Sequence, residues 1–134
     1  MNNRKGHRGY IGSRPSRGDR TPQHVQNLVI RDYCQRNGFA YLLSVAEYAM
    51  PGCYMMLEEV AREVHSLDGI VLYSIFMLPR RRERRGDWCR RILESGATIH
   101  GALENLTIRN GEELDRVDEL FLLSEIVSTV PPLP

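Results

Sequence analysis

The chain has 134 residues, 42% of them hydrophobic and 26% charged, with a formal net charge of +1 at pH 7. That length suits one domain over residues 1–134, and the composition excludes disorder throughout. No apolar run approaches the ~20 residues that cross a bilayer, and the basic start Met1-Asn2-Asn3-Arg4-Lys5 is not followed by a secretory apolar stretch, so the cytoplasm is the expected compartment. Taken in chain order, residues 1–7 read as a loose terminus, Arg8-Gly9-Tyr10-Ile11-Gly12 as a short strand, and residues 13–21 as a polar loop. Thr21 suits an N-cap and Pro22 the first position of a helix. Val25, Leu28, Val29 and Tyr33 then recur at helical spacing, and Gly38 suits the C′ position. Phe39-Ala40-Tyr41-Leu42-Leu43 predicts a strand, and Cys53, Met56, Leu57, Val60, Ala61 and Val64 mark a second helix. Residues 69–75 predict a third strand. An arginine-rich helix with Trp88, Cys89, Ile92 and Leu93 on one face follows, and residues 97–103 predict a fourth strand. Asn110 and Glu113 suggest a capping box for a last helix bearing Leu114, Val117, Leu120 and Phe121, before a Pro-rich tail at 130–134.

Apolar strands alternating with amphipathic helices predict an α/β fold in three layers. Its sheet would be mainly parallel and four-stranded, with helices on both faces, in the flavodoxin-like order 2-1-3-4. Three cysteines, Cys34, Cys53 and Cys89, show no CxxC or Cys/His ligand spacing, so neither a disulfide framework nor a structural zinc site is expected, and no cofactor or metal is called for.

The small net charge hides segregation. Residues 1–22 carry six cations and one anion (+5), residues 23–79 three and six (−3), residues 80–91 seven and two (+5), and residues 92–134 two and eight (−6). Seventeen of the eighteen cations are arginine, the better bidentate partner for phosphate or carboxylate. Two basic blocks on an otherwise acidic chain suggest an anionic ligand or partner; the competing reading of residues 80–91 is a solvated face paired with the acidic last helix.

In a sheet of this order ligands bind beyond the carboxyl ends of the strands. Ser13 and Arg14 follow the first strand there, residues 74–77 follow the third, and His100, Glu104 and Asn105 belong to the fourth and its turn. Arg14, Arg17 and Arg20 lead into the first helix, whose N-terminus offers free N–H groups to an anion. Ser13 is the candidate nucleophile, against a turn or capping role. His24, in the first turn of the helix, is better placed for a ligand than His100, which sits in an apolar strand. Glu47, Tyr48, Tyr54 and Tyr73 could line a pocket, while the sulfur-rich stretch 50–56 reads as core rather than a redox site.

Two resemblances add to this. Gln26, Tyr33-Cys34, Gly38, Asp68-Gly69-Ile70-Val71-Leu72-Tyr73 and Glu104-Asn105 resemble the catalytic domain of serine recombinases over residues 26–108. That resemblance implies a resolvase-like β/α fold and a serine-centred site. The family alternates tyrosine, arginine and serine on strand one, where this chain reads Tyr10-Ile11-Gly12-Ser13. Gly9-Tyr10-Ile11-Gly12-Ser13-Arg14-Pro15, Glu47-Tyr48-Ala49-Met50-Pro51 and Tyr73-Ser74-Ile75-Phe76-Met77-Leu78-Pro79, with residues 22–34 and 102–105, resemble the sporadic carbohydrate cluster proteins. Those are small bacterial proteins of surface-polysaccharide and lipopolysaccharide gene clusters, which implies a pathway without a reaction.

Three functions follow as expectations. The first is an accessory protein or enzyme of surface-carbohydrate assembly binding a sugar phosphate or nucleotide sugar. Ser13, Arg14 and Arg17 would hold the phosphate, with Gln23, His24, Tyr73, Ser74, Glu104 and Asn105 around the sugar. The second is a recombinase relative touching nucleic-acid phosphates through residues 80–91. The third is an interaction module or homo-oligomer, its basic helix pairing with the acidic helix between subunits or with a biosynthetic partner; Trp88 would anchor it if exposed, but its helical spacing favours a core role.

Overall fold

A computed structural model describes residues 4–13 and 21–129. Arg14, Arg17 and Arg20 and the tail at 130–134 lie outside them. Five strands, β1 (His7–Gly12), β2 (Tyr41–Glu47), β3 (Gly69–Leu72), β4 (Thr98–Gly101) and β5 (Leu106–Ile108), form one sheet in the order β2-β1-β3-β4-β5. The first four are parallel, in the expected order; β5 joins β4 antiparallel. At three residues, β5 is too short to leave an alternating pattern in the sequence.

Helices α1 (Gln23–Arg36), α2 (Met55–Arg62), α3 (Arg82–Glu94) and α4 (Gly111–Thr129) cover the two faces unequally. Alternation along β1 sends Tyr10 to one face and Ile11 to the other. The first face packs Tyr10, Ile70, Leu72 and Ile99 under α2, α3 and α4, through Leu57, Val60, Trp88, Ile92, Leu114 and Phe121. The second packs Ile11, Val71 and Tyr73 under α1 alone, through Ile30, Tyr33 and Cys34. α4 turns Leu114, Val117 and Phe121 inward and leaves Leu122, Leu123, Ile126 and Val127 exposed.

Several boundaries differ from the sequence expectations. β3 stops at Leu72, and the apolar run continues as a 3-10 turn, Ile75–Met77, because Ser74 caps it by accepting from the Phe76 N–H. α2 ends at Arg62, and Val64 belongs to a second 3-10 turn, Val64–Ser66. Residues 4–6, in the terminus expected to be loose, are fastened to the turn before β3 and to the end of α3. The Lys5 N–H donates to the Ser66 carbonyl (2.9 Å), that of Asp68 to Gly6 (2.8 Å), and Arg4 to Leu67 and Ser95.

Candidate functional site

The register Tyr10↔Leu72 and Leu72↔Gly101 brings the carboxyl ends of β1, β3 and β4 side by side. Bonds just past the strands continue the alignment: Tyr73 N–H to Tyr10 O (3.0 Å), Ala102 N–H to Leu72 O (2.9 Å) and Leu103 N–H to Tyr73 O (2.9 Å). Ser13, Tyr73, Ser74, Glu104 and Asn105 therefore share one end of the sheet, next to Thr21 at the start of α1. Ser13 is exposed at that end.

Gln26 organises this corner, a role the spacing of the sequence did not single out. Buried on α1, its side-chain amide donates to the carbonyls of Gly12 (2.7 Å) and Thr21 (2.8 Å), and its oxygen accepts the Gly12 N–H (3.1 Å). Both ends of the connection from β1 to α1 are thus fastened to one side chain. Tyr73 adds a third tie, donating from its hydroxyl to Thr21 Oγ1 at 3.2 Å. Thr21 consequently does not cap α1. Pro22 holds that position, its carbonyl accepting from Val25 and Gln26, without a side-chain cap. Gln23 is half-buried and His24 exposed on the first turn.

Ser74 and Glu104 meet directly. Ser74 Oγ donates to Glu104 Oε2 (2.7 Å) while accepting from Phe76 N–H (3.2 Å), and Glu104 Oε1 accepts the Ile75 N–H (2.7 Å). The carboxylate thereby caps the 3-10 turn, where free N–H groups favour negative charge. Gly101 makes the approach possible, since a Cβ there would stand 2.9 Å from Glu104 Oε1 and from Ile75 Cβ. Asn105 adopts the left-handed conformation (φ 56°) that turns the chain into β5.

Glu47, expected as a pocket wall with Tyr48, Tyr54 and Tyr73, is instead buried and fully engaged. It accepts from Tyr10 Oη (2.8 Å), Tyr48 N–H (3.1 Å), Met56 N–H (2.9 Å) and Leu57 N–H (3.1 Å), and so caps α2 from a neighbouring strand. Tyr48 is exposed, and Tyr54 lies under the Arg84 guanidinium at 4.7 Å. His100 does not face this end of the sheet. It points beneath α1, bonded to Tyr33 Oη (2.8 Å) and Thr98 Oγ1 (2.8 Å), and burial beside His7 pulls it down to about 3, so it stays neutral.

Five of the seven arginines in the basic block at 80–91 meet carboxylates within the chain. Arg82 and Arg85 meet Asp118 (3.4 and 2.7 Å), Arg80 meets Glu125 (3.5 Å), Arg91 meets Glu58 (2.8 Å) and Arg90 meets Asp87 (2.9 Å). A groove of about 490 Å³ between α3 and α4 is lined by both signs of charge, including Arg80, Arg82, Asp115 and Glu119. Trp88 is core, as its helical spacing favours, with its indole N–H donating to the Leu57 carbonyl at 3.0 Å. Three of the ion pairs of residues 80–91 run to the acidic last helix of the same chain, as the reading of this block as a solvated face paired with that helix expected. All three cysteines are free; burial pushes Cys34 up to about 11 and Cys89 to about 12. Among the described residues no cluster of three or more metal-ligating side chains occurs, and no helix is long and apolar enough to cross a membrane.

No protein-family profile matches the chain, and no curated protein matches it. Solved structures do. The N-terminal catalytic domain of TP901-1 integrase superimposes with a TM-score of 0.64 at 12% identity, over 90% of this chain and 96% of that domain. A resolvase family site-specific recombinase from Streptococcus pneumoniae gives 0.59 at 8% identity, over 90% and 89% of the two chains. The fold is that of resolvase catalytic domains. Neither comparison supports the carbohydrate-cluster resemblance.

Proposed function

We propose that this chain is a recombinase-fold domain that binds the phosphodiester backbone of a nucleic acid at the end of the sheet where β1, β3 and β4 finish. Binding, without strand cleavage, is the claim. Ser13 would contribute a hydroxyl and Arg14 and Arg17 charge-assisted contacts, with Gln23, His24 and Asn105 at the rim; Tyr73, Ser74 and Glu104 would hold the floor. The observation that carries this reading is the Gln26 clamp, which ends β1 at an exposed Ser13 and starts α1 beside it. A helix N-terminus next to an arginine-rich connection is a phosphate-binding combination. The pairing of residues 80–91 with Asp118, Glu125 and Glu58 favours the 14–20 connection, with three arginines against one aspartate, over the basic helix as the phosphate contact.

Fluorescence anisotropy with a labelled duplex across a salt series tests it. We expect log K to fall with log salt by about 0.9 for each phosphate neutralised. Arg14→Ala or Arg17→Ala should reduce that slope by about one unit. Arg82→Ala should change neither slope nor affinity. Absent binding at low salt, or equal losses from Arg82→Ala and Arg14→Ala, overturns the reading. A thermal-shift series with sugar nucleotides is the parallel arm: stabilisation there, without duplex binding, would replace nucleic acid by an anionic sugar derivative at the same residues.

A further inference from the structure

We propose that His7 and His100, packed side by side beneath the carboxyl end of α1, form an acid-sensitive latch that holds α1 and the turn after it on the sheet. The proposal is independent of what the Ser13 end binds.

Both rings are buried on the face that α1 alone covers. Their centroids lie 5.3 Å apart. His7 stacks on Phe39, centroid to centroid 3.8 Å with planes 8° apart, and Phe39 belongs to the turn joining α1 to β2. That turn is also fastened by Phe39 N–H to Cys34 O (2.8 Å), His7 N–H to Ala40 O (2.8 Å) and the Asn37 side-chain amide to Tyr33 O (2.8 Å). His100 is saturated as a neutral ring by Tyr33 Oη, Thr107 Oγ1 (3.2 Å) and Thr98 Oγ1. His7 Nδ1 is buried with no hydrogen-bond partner, so an added N–H⁺ would have no acceptor.

The surroundings do not compensate a positive charge. From α1 come Tyr33, the buried thiol Cys34, and Arg36 5.9 Å over the Tyr33 ring. From β4 and β5 come the hydroxyls of Thr98 and Thr107, with Arg109 beyond them disfavouring a charged His100. Asp68, ahead of β3, is the anion that favours a charged His7, and desolvation outweighs it. Both histidines therefore take up protons more readily when this face opens. Protonation drives opening as pH falls below 6.5, the ordinary histidine value, toward the depressed folded values. The α1 face opens first because, among the described residues, its core holds seven buried apolar residues against nineteen on the other face.

The protein carries its own reporters. Cys34 sits on the buried side of α1, and Cys89 on the buried side of α3 over the opposite face of the sheet. Modification by a dipyridyl disulfide, located by mass spectrometry and divided by the rate of the unfolded chain at the same pH, gives a protection factor for each thiol. We expect Cys34 protection to fall at least about tenfold between pH 7 and pH 5 while Cys89 protection falls much less, each histidine contributing up to ~10-fold per unit. His7→Phe, which keeps the aromatic stack, combined with His100→Gln should flatten the Cys34 profile. Equal Cys34 protection at both pH values, a parallel fall at Cys34 and Cys89, or an unchanged slope in the double variant would each overturn the latch. The wild-type comparison decides the question even if a variant does not fold.

Discussion

Gln26 and Glu47 show how single buried polar side chains set the geometry of the candidate site. Each satisfies several backbone groups at once, and replacing it strands them in a dry environment. Gln26→Ala should lower the unfolding free energy by about 1–3 kcal/mol, read from the denaturant midpoint. Glu47→Gln keeps the shape but puts an NH2 donor against either the Met56 or the Leu57 N–H, which donate to different oxygens of Glu47, and should cost about 2–3 kcal/mol. Gly101 is constrained differently. A methyl added there would sit 3.0 Å from the Ile75 backbone nitrogen, which cannot swing aside like a side-chain tip. Gly101→Ala should therefore cost about 1–3 kcal/mol and loosen the Ser74–Glu104 contact.

Among elements, α3 and α4 are joined by an ion pair whose parts are unequal. Arg85 is 2% exposed, stacks 3.9 Å from the Phe121 ring centre, and donates to Asp118 and to the carbonyls of Pro79 and Arg80. Asp118→Ala leaves that guanidinium buried without its anion and should destabilise by about 3–5 kcal/mol. Arg82→Ala removes an exposed partner of the same carboxylate and should cost under about 1 kcal/mol. Urea titration of the two variants separates them. At the sheet edge, β2 carries an irregularity opposite Arg8 and Tyr10, where Arg8 donates to the Leu43 carbonyl (2.8 Å) and the Ser44 N–H donates to Tyr41 Oη (3.1 Å). Those side chains occupy polar groups that a bare edge would present to another strand. At α4, Asn110 accepts the Glu113 N–H (2.9 Å) as the capping pattern predicts, while Glu113 answers the N–H of Arg109, one residue earlier (3.0 Å).

At the scale of the whole molecule, the uneven layers give stability a pH dependence. His7 and His100 have folded values below their unfolded ones, so the folded state binds fewer protons. Above pH 6.5 both are neutral in the folded and unfolded states and add no pH dependence; stability is lost as pH falls below that value, His100's share continuing to about pH 3. Unfolding free energies from denaturant titration should drop between pH 7 and pH 5 by up to about 1.4 kcal/mol per unit per histidine, and His100→Gln should make the drop shallower. The single-helix face bears the candidate site's root, Gln26, at one end of α1 and these histidines at the other.

Strand order and helix positions were legible in the sequence because apolar periodicity is a local property and right-handed crossovers leave few ways to assemble it. The sequence by itself also determined that charge is segregated and that Ser13 follows the first strand. Only the tertiary structure decided where those charges go: Arg82 and Asp118 lie 36 positions apart in the chain yet share one groove, so a basic run became an internal seam. It likewise turned Glu47 and Glu104 from expected pocket groups into caps, and sent His100 beneath α1. A side chain's role depends on which distant backbone groups need a partner, and that need exists only after the chain has closed around it.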